Sequence, residues 1–194
     1  LLERMQRAMA GNTSAKAAVD IALHDLAAQA AGLPLHRFLG SRLDGVATLA
    51  TDVTISANPV ATMLDDVRTA LDDGYRALKI KVGKHPESDV ETLAALHAHV
   101  AGRARLRIDA NQGWTPAQAI AVMQALESRG LAFELLEQPV PADDLDGMAA
   151  LRAAITTRLL ADEAVFNARD AQRALDAGAC DLINLKLMKS GGLA

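Results

Sequence analysis

Short apolar runs recur along most of this chain, each followed by a stretch of helical pattern, and their ends fall at nearly even intervals. The runs are Thr48–Ile55, Ala77–Val82, Leu106–Asp109, Phe133–Glu137, Leu159–Asp162 and Leu182–Leu187. Between them lie Pro59–Asp72, Ser88–Val100, Pro116–Ser128, Leu145–Ile155 and Ala168–Ala177, several closed by a glycine, as at Asp73-Gly74, Arg129-Gly130 and Ala177-Gly178. Lys81 to Asp109 is 28 residues, Asp109 to Glu137 is 28, Glu137 to Asp162 is 25, and Asp162 to Lys186 is 24. Strands that alternate with single helices through short links pair in parallel, with right-handed crossovers. The chain is therefore expected to be α/β, built from βαβ units.

Such a chain can form an open doubly wound sheet or a (β/α) barrel. The open sheet calls for a phosphate-binding loop after its first strand, and neither G-x-G-x-x-G nor G-x-x-x-x-G-K-[ST] occurs. The barrel calls for functional residues at the C-terminal ends of several strands. Five successive runs end that way, so a barrel is expected. Six strands are legible where eight close the ring, and the missing pair would need roughly fifty more residues. The chain opens without Met and stops at Ser190-Gly191-Gly192-Leu193-Ala194, so it reads as a portion of a longer protein.

Ahead of the repeat comes a helical unit of about forty residues. Asn12 is a candidate N-cap for a helix through Ala17, Val19, Ile21, Leu23, Leu26 and Ala27, closed by Gly32. Residues 1–9 form an amphipathic segment before it, and Leu33 to Leu39 a short turn after it. The expected division is residues 1–44, helical, and residues 45–194, the partial barrel.

Composition excludes several classes. Lys and Arg number 20 against 24 Asp and Glu, a net charge of −4, which argues against nucleic acid and anionic membrane as partners. No apolar run approaches the roughly 18–20 residues that span a bilayer. The single cysteine, Cys180, excludes an internal disulfide or a thiolate metal cluster. Charged residues at the start (Glu3, Arg4, Arg7) are unlike a secretory signal, so a cytoplasmic setting is expected. Aromatics make up only 3%, leaving small and aliphatic side chains to build the core.

The strand ends carry the chemistry. The second gives Lys79-Ile80-Lys81, whose period-two alternation puts both amines on one face. The third ends Asp109-Ala110-Asn111-Gln112, the fourth Glu137-Gln138-Pro139, the fifth Asp162-Glu163, and the sixth Asn184-Leu185-Lys186. Asp109, Glu137 and Asp162 at one mouth repel each other unless a cation lies among them. An all-oxygen set suits Mg²⁺, with Mn²⁺ or Ca²⁺ as alternatives. In a ring of eight, the second and sixth strands are half a circumference apart, which sets Lys81 and Lys186 on opposite sides of that metal. Removing the α-proton of a carboxylate substrate creates an enediolate that metal and lysines stabilise; one lysine removes the proton and the other returns one to the opposite face. Lys79, two residues from Lys81, is expected to lower its pKa.

The runs K-I-K-V-G, D-A-N-Q-G-W, E-Q-P-V, A-D-E-A-V-F and N-L-K-L-M-K-S-G-G together resemble the enolase superfamily, muconate-lactonizing subgroup, and within it the dipeptide epimerases of the L-Ala-D/L-Glu type. The resemblance covers nearly the whole chain and implies an enolase-type barrel preceded by the helical C-terminal part of an α+β capping domain. It implies that Asp109, Glu137 and Asp162 bind Mg²⁺, that Lys81 and Lys186 are the acid/base catalysts, and that Lys79 supports Lys81 and the substrate carboxylate. The implied substrate is a dipeptide or N-acyl amino acid, and a homo-oligomer is expected. Alternatives are a cycloisomerase, an o-succinylbenzoate-synthase-like enzyme of the same subgroup, and a non-catalytic truncated remnant. Asn111, Gln138 and Glu163 are candidate partners of the ligands. His24, His36, His85, His97, His99, Trp114 and Cys180 are assigned structural or surface roles.

Overall fold

A computed structural model describes residues 2–41 and 48–193, so the expected boundary between residues 44 and 45 lies outside the described residues. In chain order, the elements begin with helices α1 (Leu2–Ala8), α2 (Thr13–Ala30) and α3 (Leu35–Phe38). Strand β1 (Val53–Ile55), α4 (Val60–Asp72), β2 (Ala77–Lys81), α5 (Pro86–Val100), β3 (Arg105–Asp109) and α6 (Pro116–Ser128) follow. The chain continues with β4 (Leu135–Glu137), α7 (Leu145–Ala154), β5 (Leu159–Ala161), α8 (Ala168–Asp176), β6 (Leu182–Ile183) and α9 (Leu187–Ser190). These elements form two compact units, Leu1–Leu49 with Leu185–Ala194, and Ala50–Asn184.

In the first unit, α2 ends in a Schellman turn: Gly32, at φ 65°, donates to Gln29 O and Leu33 to Ala28 O. Its start differs from expectation. Asn12 is left-handed (φ 51°) and makes no side-chain cap; its amide turns back to Ala10 O at 3.0 Å. An N-cap needs extended backbone to aim its side chain at the first turn, and the left-handed residue cannot do so. Within the same unit, α9 packs against α2.

The second unit is a parallel sheet ordered β1-β2-β3-β4-β5-β6. A doubly wound sheet reverses direction at its middle; here every strand adds beside its predecessor, as in a barrel. With right-handed crossovers throughout, a one-way order puts the helices on one face. Leu78, Ile80, Leu106, Ile108, Leu136, Leu159 and Ala161 are buried in that core with Leu93, Leu96, Met123, Leu126, Met148 and Leu151 from the helices. Each such Leu, Ile or Met contributes about 1.5–3 kcal/mol over its exposed state. The alternate residues of the same strands fall on the other face, free to be polar. Local signals set the helix starts: Thr115 and Gln118 form a capping box, Asp144 caps Gly147 N, and Asn167 caps Arg169 N and Asp170 N.

Several strands are shorter than the expected runs, β1 starting only at Val53 and β4 at Leu135, and β6 is cut back at its C-terminal end. The run Leu182–Leu187 pairs only at Leu182 and Ile183, and Asn184 N reaches Ala161 O at 2.9 Å. Beyond Ala161 its neighbour has already turned, with Val165 N bonded to Asp162 O, and Lys186, with extended backbone, is the N-cap of α9.

Candidate active site

Register assembles the site. Lys81 on β2 pairs with Asp109 on β3, and Asp109 pairs with Glu137 on β4, so one row across three strands reads amine, carboxylate, carboxylate. Glu137 pairs next with Leu160, which leaves Asp162 two residues farther on, just past the end of β5 and on the same parity. All three acids are buried, at 1%, 4% and 1% exposure for Asp109, Glu137 and Asp162.

The amines lie on the acids. Lys81 Nζ is 2.6 Å from Asp109 Oδ2, and Lys79 Nζ is 3.1 Å from the same oxygen and 3.4 Å from Glu137 Oε2. Lys81 also donates to Asn111 Oδ1, while Asn111 Nδ2 donates to Glu163 Oε1 at 3.0 Å. Glu137 Oε1 accepts from Asn184 Nδ2 at 3.0 Å. Gln138 ties the loops together: its Oε1 accepts from Asp162 N and Ala164 N, at 2.9 and 3.1 Å, and its Nε2 donates to Val140 O. Asn111 thus links Lys81 to Glu163, and Gln138 links the loop after β4 to the backbone of Asp162 and Ala164.

Electrostatics follow from this crowding. Burial, then the Asp109 charge, push the Glu137 carboxyl above its usual range, against the opposing pull of Lys79 and the Asn184 amide. Burial would lower the Lys79 ammonium, but Glu137 and then Asp109 outweigh it and hold it above the ordinary lysine value. Lys79 is thus kept cationic by the acids.

A hard dication fits this donor set. The three acids are oxygen donors, buried at one end of the sheet, and Glu137 carries the cost of its neighbours' charge. Among the described residues no three His, Cys, Asp or Glu side chains are drawn together closely enough to enclose an ion; Asp109 and Glu137 face lysine amines instead. A cavity of about 400 Å³ opens beside Lys81, lined also by Ser56, Gly83, Lys84 and Asn111. Lys186 belongs to the other compact unit, as the N-cap of α9.

Asp89 is the residue the sequence reading passed over. It is buried in the first turn of α5, and its Oδ2 accepts from Gly83 N at 3.1 Å and Trp114 Nε1 at 3.0 Å. The loop after Lys81 is thereby tied to the loop after Asp109. An acid in a first helical turn is ordinary; the signal was the glycine and tryptophan that share it. Burial raises its carboxyl pKa, against the pull of those two donors. Among the histidines, His97 packs edge-on against Phe133, with centroids 5.6 Å apart, and His24 lies beside Asp20. Cys180 is buried. Among the described residues no helix is long and apolar enough to cross a membrane.

Comparison with known proteins agrees with this geometry. Residues 62–194 match the family described as Enolase C-terminal domain-like, and residues 1–40 match Mandelate racemase / muconate lactonizing enzyme, N-terminal domain. The L-Ala-D/L-Glu epimerase of Clostridium acetobutylicum is 45% identical over 193 residues, covering 100% of this chain and 53% of that protein. The Bacillus subtilis L-Ala-D/L-Glu epimerase is 44% identical, covering 100% and 52%. The substrate-liganded structure of the Bacillus subtilis enzyme superposes with a TM-score of 0.91 over 98% of this chain and 53% of that one, at 44% identity. The dipeptide epimerase of Cytophaga hutchinsonii complexed with Mg and D-Ala-L-Val gives 0.87 at 38% identity, over 95% and 49%. Muconate lactonizing enzyme from Pseudomonas fluorescens, with muconolactone, gives 0.91 at 29% identity, over 98% and 51%. The chain spans about half the length of the curated relatives it matches. With an enolase-type α/β architecture and matches at both ends of its sequence, the chain belongs to the mandelate racemase / muconate lactonizing enzyme family of the enolase superfamily.

Proposed function

We propose that this chain carries the catalytic centre of a Mg²⁺-dependent epimerase that inverts the α-carbon of a small carboxylate substrate, a dipeptide or N-acyl amino acid. The observation that supports this most is the registered row Lys81, Asp109, Glu137, with Lys79 against both acids. The relatives named L-Ala-D/L-Glu epimerase and dipeptide epimerase point the same way.

Asp109, Glu137 and Asp162 would hold Mg²⁺, with Mn²⁺ as the alternative. Bound there, the cation would stabilise the negative charge that develops on the substrate carboxylate as the α-proton leaves. Lys81 takes that proton on one face, with Asn111 fixing the direction of its amine. Lys186, two residues past the Asn184 that binds Glu137, gives a proton to the other face; its place in the scheme rests on sequence parity and on the family motif. Lys79, kept cationic, holds the substrate carboxylate. One bond to hydrogen breaks, one forms on the opposite side, and the configuration inverts. The division into a capping-domain part, residues 1–44, and a partial barrel, residues 45–194, belongs to the same reading, as do a cytoplasmic setting and a homo-oligomer.

A second reading, a cycloisomerase or o-succinylbenzoate-synthase-like activity, is favoured by the likeness to muconate lactonizing enzyme and needs only one lysine as base. Incubating the gene product that carries this sequence with a dipeptide library in D₂O separates the two. For an epimerase, Lys81→Ala and Lys186→Ala each abolish inversion, and each still exchanges the α-proton of one stereoisomer, a different one in each variant. Exchange of both stereoisomers in both variants rejects the two-base scheme.

A further inference from the structure

Asp20 is a charged residue that this scheme does not use, and it is buried more completely than the metal-ligand candidates, at 0% exposure. It lies in the middle of α2, on the buried side of the helix with Lys16 and Ala17. Its Oδ2 accepts a 2.7 Å hydrogen bond from the backbone N–H of Leu193, 173 residues away in sequence. His24 Nδ1, one turn on, is 3.3 Å from the same oxygen. A buried carboxylate is costly unless it is paired and hydrogen-bonded, as this one is through Leu193 N–H and His24.

What it holds is the turn that ends α9. Gly191 and Gly192, at φ 88° and 125°, both donate to Leu187 O, and a side chain at Gly192 would collide with the Asp20 carboxylate. Ser190 Oγ donates to Gly192 O at 3.1 Å. At the other end of this one-turn helix, Lys186 O accepts from Lys189 N and Ser190 N, at 2.9 and 3.1 Å. The path from Asp20 through Leu193 and the glycine turn to the Lys186 backbone is therefore continuous and lies within one compact unit. A four-residue helix has no independent stability, so its orientation comes from what anchors it.

We propose that Asp20 is a positioning residue for Lys186: through this carboxylate the helical N-terminal unit helps set where the second proton-transferring amine stands. This rests on the two-lysine reading above. An aspartate that only stabilises the fold affects both proton transfers alike, whereas one that positions Lys186 affects one face of the substrate. The experiment follows α-proton exchange in D₂O from each stereoisomer separately, in the gene product carrying this sequence, with Asp20→Ala, Asp20→Asn, Gly192→Ala and Lys186→Ala compared. Asp20→Asn keeps an oxygen for Leu193 N–H, and Gly192→Ala keeps Asp20 but forces the turn away from it.

The expected result is that Asp20→Ala and Gly192→Ala lose exchange on the stereoisomer served by Lys186 by about a hundredfold, the scale of a misplacement near 1 Å. Exchange on the Lys81 side is unchanged, and Asp20→Asn recovers part of the loss. Parallel loss on both faces, or no loss on either, overturns the role of Asp20. If Asp20→Ala does not fold, Gly192→Ala decides by the same criteria. If Lys186→Ala itself lacks one-sided exchange, the two-lysine reading fails, and the role of Asp20 with it.

Discussion

Replacing Glu137 by Gln separates two effects that the native carboxylate combines, its cost to the metal-free fold and its value to the metal. In the metal-free protein, burial and the Asp109 and Asp162 charges raise its pKa above the unfolded value of about 4.3. A group with a raised folded pKa stabilises below its unfolded pKa, and that contribution is lost as pH rises through the folded value. At pH 8 the charge is therefore a burden, and metal-free Glu137→Gln is expected to be at least as stable as the native protein. The gap closes as the pH is lowered through the raised folded pKa toward the unfolded value, as the native carboxyl takes up its proton. Lys79 retains Asp109 at 3.1 Å, so no buried amine is orphaned. With Mg²⁺ the order reverses. Partners of metal ligands cost 10–100-fold in affinity, so loss of a ligand should cost at least about 100-fold. At a Mg²⁺ concentration of about 100 Kd, binding stabilises the native protein by about 2.7 kcal/mol; a 100-fold weaker variant keeps only about 0.4 kcal/mol. Thermal melts with and without Mg²⁺ at pH 5 and pH 8, with calorimetric titration of the metal, read both numbers. A variant that keeps the full Mg²⁺ stabilisation removes Glu137 from the ligand set. A metal-free variant less stable than the native protein at pH 8 refutes the electrostatic account of the row.

Two further outcomes test the scaffold. Gly83→Ala puts a Cβ into the Ala110 carbonyl at φ 102°, between the loops that carry Lys81 and Asp109, and should cost about 1–3 kcal/mol or more in urea unfolding. Unchanged stability would mean that those loops are not packed backbone to backbone. At the N-terminal end of the same strands, the hydrogen bond from Arg107 holds the Glu134 carboxyl below its usual range against the effect of burial. A depressed folded pKa gives stability that is present above the unfolded value and lost as pH falls through the folded one. Glu134→Gln should therefore be destabilised near pH 7 and lose that deficit in acid; a deficit that persists at pH 2–3 assigns it to packing instead.

Much of this site is visible in the chain because a parallel sheet of short, equal units turns sequence period into spatial register. The two 28-residue intervals from Lys81 to Asp109 to Glu137 are the intervals at which the strands pair, so equal spacing in sequence becomes a row in space. The next interval, 25 residues, breaks that identity: Glu137 pairs with Leu160, and Asp162 is carried two residues onward. The offset is a property of strand stagger, which hydrophobic pattern does not encode; what survives is parity, and the Asp162 charge still acts on Glu137. Lys186 fails the same translation for a different reason. Its run is apolar enough for a strand of six residues, but pairing needs a neighbour, and β5 has ended by Ala161. Local sequence cannot report where the adjacent strand stops. Asp20 and Asp89 lie further still from anything periodic. Each is an acid on a helix whose partner is a backbone N–H or an indole brought in by tertiary packing, at Leu193, Gly83 and Trp114. The strand ends stand out in the sequence because the chemistry proposed for them restricts their residue types. The acids that position those strand ends are restricted only by burial, and burial becomes legible when the chain is folded.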